Sequence, residues 1–441
     1  MKKELNGYYS RGGGNSAVKV SQLLGFVLLF SAVVIAGENN TNSSDKSWFN
    51  WPIEAHGFFE VRAGYRTQND KYEKDMSIME SRFQLDLSST TDWADFRLKG
   101  DFYGDLVTEE GEFDLREANI FTRPTDWMDV KIGRQILTWG TGDLVFINDL
   151  FPKDWNSFFI GRDTDYLKAP SDAAKVSLFS DAVNLDIVYT PQFDPDRFID
   201  GEYVSYWNAN LGRHAGRDAV VHTNRPDRWF RDDEIAMRLY KNINDYELAM
   251  YGYHGFWKSP AGQTITGQAL FPDLNVYGAS ARGTVGKGIG NVEIGYYESV
   301  DDRSGKNPLI DNSQMRYLVG YTQEIAADFT AGIQFYVEQL LQYSQYKRYL
   351  PPSVAARDEY RQLLTLRLTK LLMNQNLRLS LFTYFSPTDK DSYIRPNVNY
   401  KVSDNLTLET GANIFFGDYP YTFFGQFENN SNIYTAVRYS F

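Results

Sequence analysis

The sequence NIYTAVRYSF occupies residues 432–441. Along an extended chain, Ile433, Thr435, Val437, Tyr439 and Phe441 fall on one side, and Tyr434, Ala436, Arg438 and Ser440 fall on the other. A strand turns successive side chains to opposite faces, so one side here suits hydrocarbon and the other suits water. A soluble β-sandwich can end on such a strand too. The rest of the chain decides between them.

Upstream, amphipathic segments follow one another without a long helical pattern. They lie at about 54–66, 77–89, 94–106, 112–122, 128–138, 174–180, 183–190, 234–241 and 246–257. Eight more lie at about 274–285, 291–299, 314–325, 329–343, 360–372, 377–385, 393–402 and 406–416, making eighteen with the last. Short links such as SDAVN, NIND, IAAD, MNQN and VSDN alternate with longer ones. Membrane barrels have short periplasmic turns and longer external loops. With eighteen strands every short link falls on one side and every long link on the other. The expected fold is all-β: a transmembrane antiparallel up-and-down β-barrel of eighteen strands with long external loops. Aromatic residues make up 16% of the 441, with 30 Tyr and 30 Phe, as interfacial girdles require. Cysteine is absent, which excludes disulfides, thiolate metal sites and covalently attached haem.

Residues 23–36 (LLGFVLLFSAVVIA) follow Lys2, Lys3, Arg11 and Lys19 and precede a polar stretch, which reads as a signal peptide over 1–36. A periplasmic leader at 37–53 and the barrel at 54–441 complete the division. The leading 36 residues carry four positive charges and one negative, so the remainder holds about −15 against −12 for the whole chain. Such acidity argues against nucleic acid as a partner.

Two links are long. The one at 139–173 (WGTGDLVFINDLFPKDWNSFFIGRDTDYLKAPSDA) is rich in aromatics and glycine, so it is expected to fold into the lumen and narrow it. Trp139, Asp143, Asp149, Trp155, Arg162 and Asp165 are its candidate constriction residues. The other spans 191–233. Opposite the apolar face, the basic residues expected to point inward are Arg62, Arg66, Arg82, Arg97, Lys99, Lys131, Arg238, Arg282, Arg316, Arg361, Arg367, Arg378, Arg395 and Arg438. The acidic ones are Glu60, Asp86, Asp101, Asp186, Glu247, Glu293 and Glu409, half as many. A basic pore wall favours anions. The competing role for these groups is internal ion pairing that stiffens the wall. Val130 and Ile132 would place Arg134 on the lipid side, so a bulge at Gly133–Arg134 is expected to aim Arg134 or Gln135 at the long loop or the pore. The alternative is that Arg134 lies high enough to reach the headgroups.

Catalysis has little to build on. The histidines are His56, His214, His222 and His254, and no local motif joins them to a nucleophile. No enzyme activity and no cofactor are expected. Asp194, Asp196, Asp200 and Glu202 offer hard oxygens for calcium, but not at EF-hand spacing, and a solvated acidic loop is the simpler reading. Pro396 sits inside an expected strand, where it removes a ladder donor.

A terminal aromatic on an amphipathic strand resembles the closing strand of bacterial outer-membrane barrels, where it is part of the signal read by the assembly machinery. Residues 115–152, with Lys131, Gly133, Arg134 and Gln135 before Trp139 and Gly140, resemble Gram-negative porin-like proteins. The nearest types are alginate-export barrels and uncharacterised barrels with a GRQ…WG element. The resemblance implies eighteen strands, an Arg-rich lumen and residence in a Gram-negative outer membrane. Outer-membrane lipid and lipopolysaccharide would surround the barrel, and Phe441 would meet the assembly machinery. The expected function is facilitated diffusion of polar, preferentially anionic solutes. The alternatives are export of an acidic polysaccharide, or a sheath around a partner such as a multihaem cytochrome.

Overall fold

The computed structural model describes residues 53–352 and 354–441; the expected signal peptide and the leader up to residue 52 lie outside the described residues. Eighteen strands form one antiparallel sheet. They are β1 (Ile53–Arg66), β2 (Met76–Thr90), β3 (Asp95–Asp105), β4 (Glu110–Thr125), β5 (Met128–Ile136), β6 (Pro170–Leu178), β7 (Asn184–Thr190), β8 (Glu234–Ile243) and β9 (Tyr246–Phe256). The second half comprises β10 (Asp273–Val285), β11 (Gly288–Ser299), β12 (Gln314–Ala326), β13 (Phe329–Leu340), β14 (Tyr360–Leu372), β15 (Leu377–Ser386), β16 (Asp391–Lys401), β17 (Leu406–Gly417) and β18 (Asn432–Ser440). Each pairs with the next, and β18 pairs back to β1 from Phe58↔Ser440 to Arg66↔Asn432, closing the barrel. Closure leaves no free edge.

Alternation along the strands sorts the faces as expected. On β18, Ile433, Val437 and Tyr439 are exposed while Tyr434 and Ala436 are buried. Met237, Met250, Val292, Val319, Ile333 and Phe335 extend the exposed apolar belt around the outside. A belt of this kind is stable only against hydrocarbon.

The eight links at one end are two to five residues long. Left-handed residues turn three of the tightest: Asn244 (φ 53°), Gly286 (φ 60°) and Asp328 (φ 54°). These residue types tolerate positive φ at little cost. At the other end the links 106–109 and 387–390 are only four residues, so length does not separate the two ends as strictly as the sequence suggested.

Two local irregularities matter for the interior. Between β3 and β4 the register shifts at Lys99/Gly100, where Arg116 is the extra residue, so Arg116 and Glu117 are both buried inside. Pro396 pairs with Leu381 on the β15 side, whereas the β16–β17 ladder skips from Ile394↔Ile414 to Asn397↔Gly411. The missing N–H therefore falls in a gap of the ladder.

The interior is not uniformly polar. Phe158 and Phe159 of the link 137–169 pack on Tyr393 of β16, and Phe159 also meets Phe415 of β17 and Phe427. This apolar filling lies in the loop half of the barrel. The turn half keeps Gln84, Asp86, Glu117, Lys131, Asp186, Arg238, Arg282, Asn291, Thr365 and Asn397 facing in.

Candidate functional site: a loop packed against the inner wall

The link 137–169 is tied down along its length by side chains of the wall. Glu293 on β11 is the densest anchor. Its Oε1 accepts from the Thr141 and Gly142 N–H groups and from Thr141 Oγ1, and its Oε2 accepts from Asn148 Nδ2 at 2.9 Å and Asn148 N at 3.3 Å. A carboxylate accepting several N–H bonds replaces much of its lost hydration. On β13, Gln334 Oε1 accepts from Asp143 N at 2.7 Å and its Nε2 donates to Asp143 O at 2.8 Å. Arg367 on β14 grips the Asp143 carboxylate, with Nη2 to Oδ1 at 2.8 Å. Tyr384 donates to Leu144 O at 2.7 Å, and Tyr297 donates to Ile147 O.

A short helix, α1 (Trp155–Ile160), turns the loop back. Asp154 caps it by accepting from Ser157 N at 2.7 Å, and Gly161 ends it in the left-handed region at φ 95°. A Cβ at Gly161 would lie 2.4 Å from the Tyr434 ring, so glycine is required twice over. Beyond it, Arg62 Nη1 donates to Gly161 O at 2.8 Å while its other nitrogens bind Glu60 at 2.9 Å and Glu409 at 2.7 Å. Arg162 pairs with Glu80 at 2.8 Å, Tyr166 donates to Asp101 at 2.5 Å, and Arg116 donates to Lys168 O at 2.8 Å. In the loop, burial works against the Arg162 charge, but Glu80 together with Tyr203, Tyr103 and Asp154 outweighs it and holds the guanidinium protonated. Burial likewise pushes the Asp163 carboxyl up, and Arg438 at 3.0 Å, the Asp165 N–H, Arg62 and Arg395 together more than reverse this.

The sequence-derived constriction residues divide accordingly. Asp143 and Arg162 meet the wall directly, as above. Trp139 packs on Phe151 and Tyr251, Asp149 accepts from Thr138 Oγ1 at 2.7 Å and from Lys153 Nζ at 3.0 Å, and Trp155 Nε1 donates to Asp196 at 3.2 Å. Asp165 is exposed.

Most of the inward basic side chains have acidic partners. Arg82 binds Glu80 at 2.6 Å and Asp101 at 2.5 Å, sandwiched by the Tyr103 and Tyr166 rings. Arg97 and Lys99 share Asp86, Lys131 lies 3.7 Å from Glu117, and Arg238 lies 2.6 Å from Glu247. Arg316 sits 3.7 Å from Glu338 and over the Tyr297 ring, and Arg438 binds Glu60 at 2.8 Å. Arg282 and Arg378 are exposed and in no ion pair among the described residues.

Arg134 is a correction. The pairing of β5 runs unbroken through Gly133 and Arg134 on both sides, so no bulge forms there. Gly133 instead takes φ 117°, and a Cβ on it would lie 2.2 Å from Ala118 O. Close backbone approach, not register shift, explains the glycine. Arg134 stays on the outer face, 3.3 Å from Asp172, while the next residue, Gln135, turns inward and donates to Ala173 O at 2.9 Å.

The acidic stretch 194–202 is not the solvated loop expected: Asp196 is buried and Asp194 half-buried. Asp196 accepts from Lys153 N, Trp155 Nε1 and Ser259 Oγ, and Asp194 from Ser171 Oγ and Asp172 N. These carboxylates hold loops together through N–H and O–H donors. Among the described residues no cluster of three or more potential ligands is arranged for a metal.

Comparison with known proteins locates the fold. No family model matches the chain, and no curated protein matches it. Among solved structures, OccAB3 of Acinetobacter baumannii shares 10% identity over 88% of this chain and 99% of its own, at a TM-score of 0.52. OccK5 (OpdH) of Pseudomonas aeruginosa shares 12% over 88% and 97%, at 0.51. The chain has their barrel fold. A Rhodopseudomonas blastica porin variant covers 88% of this chain and 100% of its own at 11% identity and a TM-score of 0.38.

Proposed function

We propose that the protein is a passive outer-membrane channel for polar solutes, narrowed by the loop 137–169, with a mild preference for anions. The observation that carries this reading is the combination of an apolar outer belt, a polar inner wall in the turn half and a long loop fixed inside. The barrel fold shared with OccAB3 and OccK5 supports it. Ion pairing neutralises much of the Arg-rich wall, so the anion preference rests on Arg282 and Arg378 rather than on the full basic count. Unpaired guanidiniums in a water-filled pore with low-dielectric walls attract anions over several ångströms.

Reversal potentials in planar bilayers under a salt gradient test this. The intact protein is expected to favour chloride modestly, and R282Q/R378Q to lose most of that preference while still conducting. Cation preference in the intact protein would contradict the anion assignment.

A further inference from the structure

Above the inward loop, at the loop end of the barrel, lies a cavity of about 1090 Å3. That is at the upper end of what a single small-molecule ligand fills. Phe146 and Trp155 of the inward loop, Trp207 of the link 191–233, and Tyr419 and Tyr421 of the link 418–431 contribute rings to its lining. Tyr419 and Tyr421 stack at 5.5 Å and are both exposed, so their faces are available to a guest. Five cationic and six acidic side chains also line it. Most are paired within the lining: Lys153 with Asp149 at 3.0 Å, Arg357 with Asp311 at 3.2 Å and Glu338 at 3.0 Å, and Arg361 with Asp389 at 2.5 Å.

Such a lining gives no net field to hold an anion. It offers donors and acceptors side by side, between aromatic faces. A guest that matches this set has hydroxyls that both donate and accept, C–H faces that lie on rings, and no charge. We propose that this vestibule binds a neutral oligosaccharide before it passes the inward loop. The inference rests on the channel reading and names the solute class for the mouth of that channel, where an anionic polymer would find no excess of positive charge.

The test adds glucose oligomers of α-1,4 and β-1,4 linkage, and tetragalacturonate as the acidic counterpart, to the loop side of the protein in a planar bilayer. The same sugars are titrated against detergent-solubilised protein by tryptophan fluorescence, which does not need conduction. A neutral oligomer is expected to block the current and to bind at least tenfold more tightly than tetragalacturonate. Y419A/Y421A, checked for folding by heat-modifiable mobility, is expected to weaken that binding about tenfold or more. A conducting channel that neither series of neutral oligomers blocks or binds would overturn the saccharide assignment and leave the channel intact. Tighter binding of tetragalacturonate, or binding indifferent to the tyrosine substitutions, would overturn it too. Binding without any conductance would support the site and sink the channel.

Discussion

Glu293 shows how much one inward carboxylate can hold. Its two oxygens accept five hydrogen bonds from Thr141, Gly142 and Asn148, and each donor left unpaired in a buried setting costs about 1–3 kcal/mol. Glu293→Ala is expected to loosen the inward loop by at least about 3 kcal/mol. Single-channel recordings should show larger and noisier openings, with Glu293→Gln intermediate. Gly133 makes a second case. An alanine there would meet Ala118 O in a left-handed backbone, a strain of about 1–3 kcal/mol, so Gly133→Ala should lower the temperature at which the folded band is lost on unheated gels. At Glu73, in the link 67–75, burial pushes the carboxyl up to about 7 against the pull of Arg66 and Arg217. A raised folded value means the packed loop is favoured with the proton on, so its stability is full below the ordinary glutamate range and falls as pH rises through about 7. Hydrogen exchange in residues 67–75, taken relative to the intrinsic amide rate at each pH, should therefore lose protection between pH 4.5 and about 7 in the natural protein and keep constant protection in Glu73→Gln.

Period-two alternation is a strong signal when one face meets hydrocarbon, and it placed all eighteen strands within a few residues. It also placed Arg62, Arg82, Arg238 and Arg438 inside. It failed where a single residue departs from the count, because alternation alone does not register a departure. Gly133 suggested a register shift and instead permits close approach; at the shift between β3 and β4 the extra residue, Arg116, lies between Leu115 and Glu117, and the glycine, Gly100, is on the opposite strand. Partners across the barrel were not legible either. That Asp143 would find Gln334 and Arg367, each about two hundred positions away, depends on the path of the loop and not on its composition. That path makes the loop the element to remove. Replacing residues 141–150 by a short glycine–serine turn is expected to raise conductance several-fold while the barrel still assembles, since the removed contacts lie inside a closed sheet. An unchanged conductance would show that the narrowest point lies elsewhere.

At the scale of the whole molecule, the ring of eighteen strands separates two environments, oil outside and water inside, with a folded loop in between. The chain has no cysteine, so single introduced thiols report their surroundings cleanly. On β15, four consecutive positions are decisive: Arg378 and Ser380 face in, Leu379 and Leu381 face out. With each replaced by cysteine in turn, a membrane-impermeant thiosulfonate is expected to modify R378C and S380C and reduce the bilayer current, and to leave L379C and L381C untouched. Equal reaction at all four, or reaction inside with no effect on current, would contradict a water-filled path through this barrel.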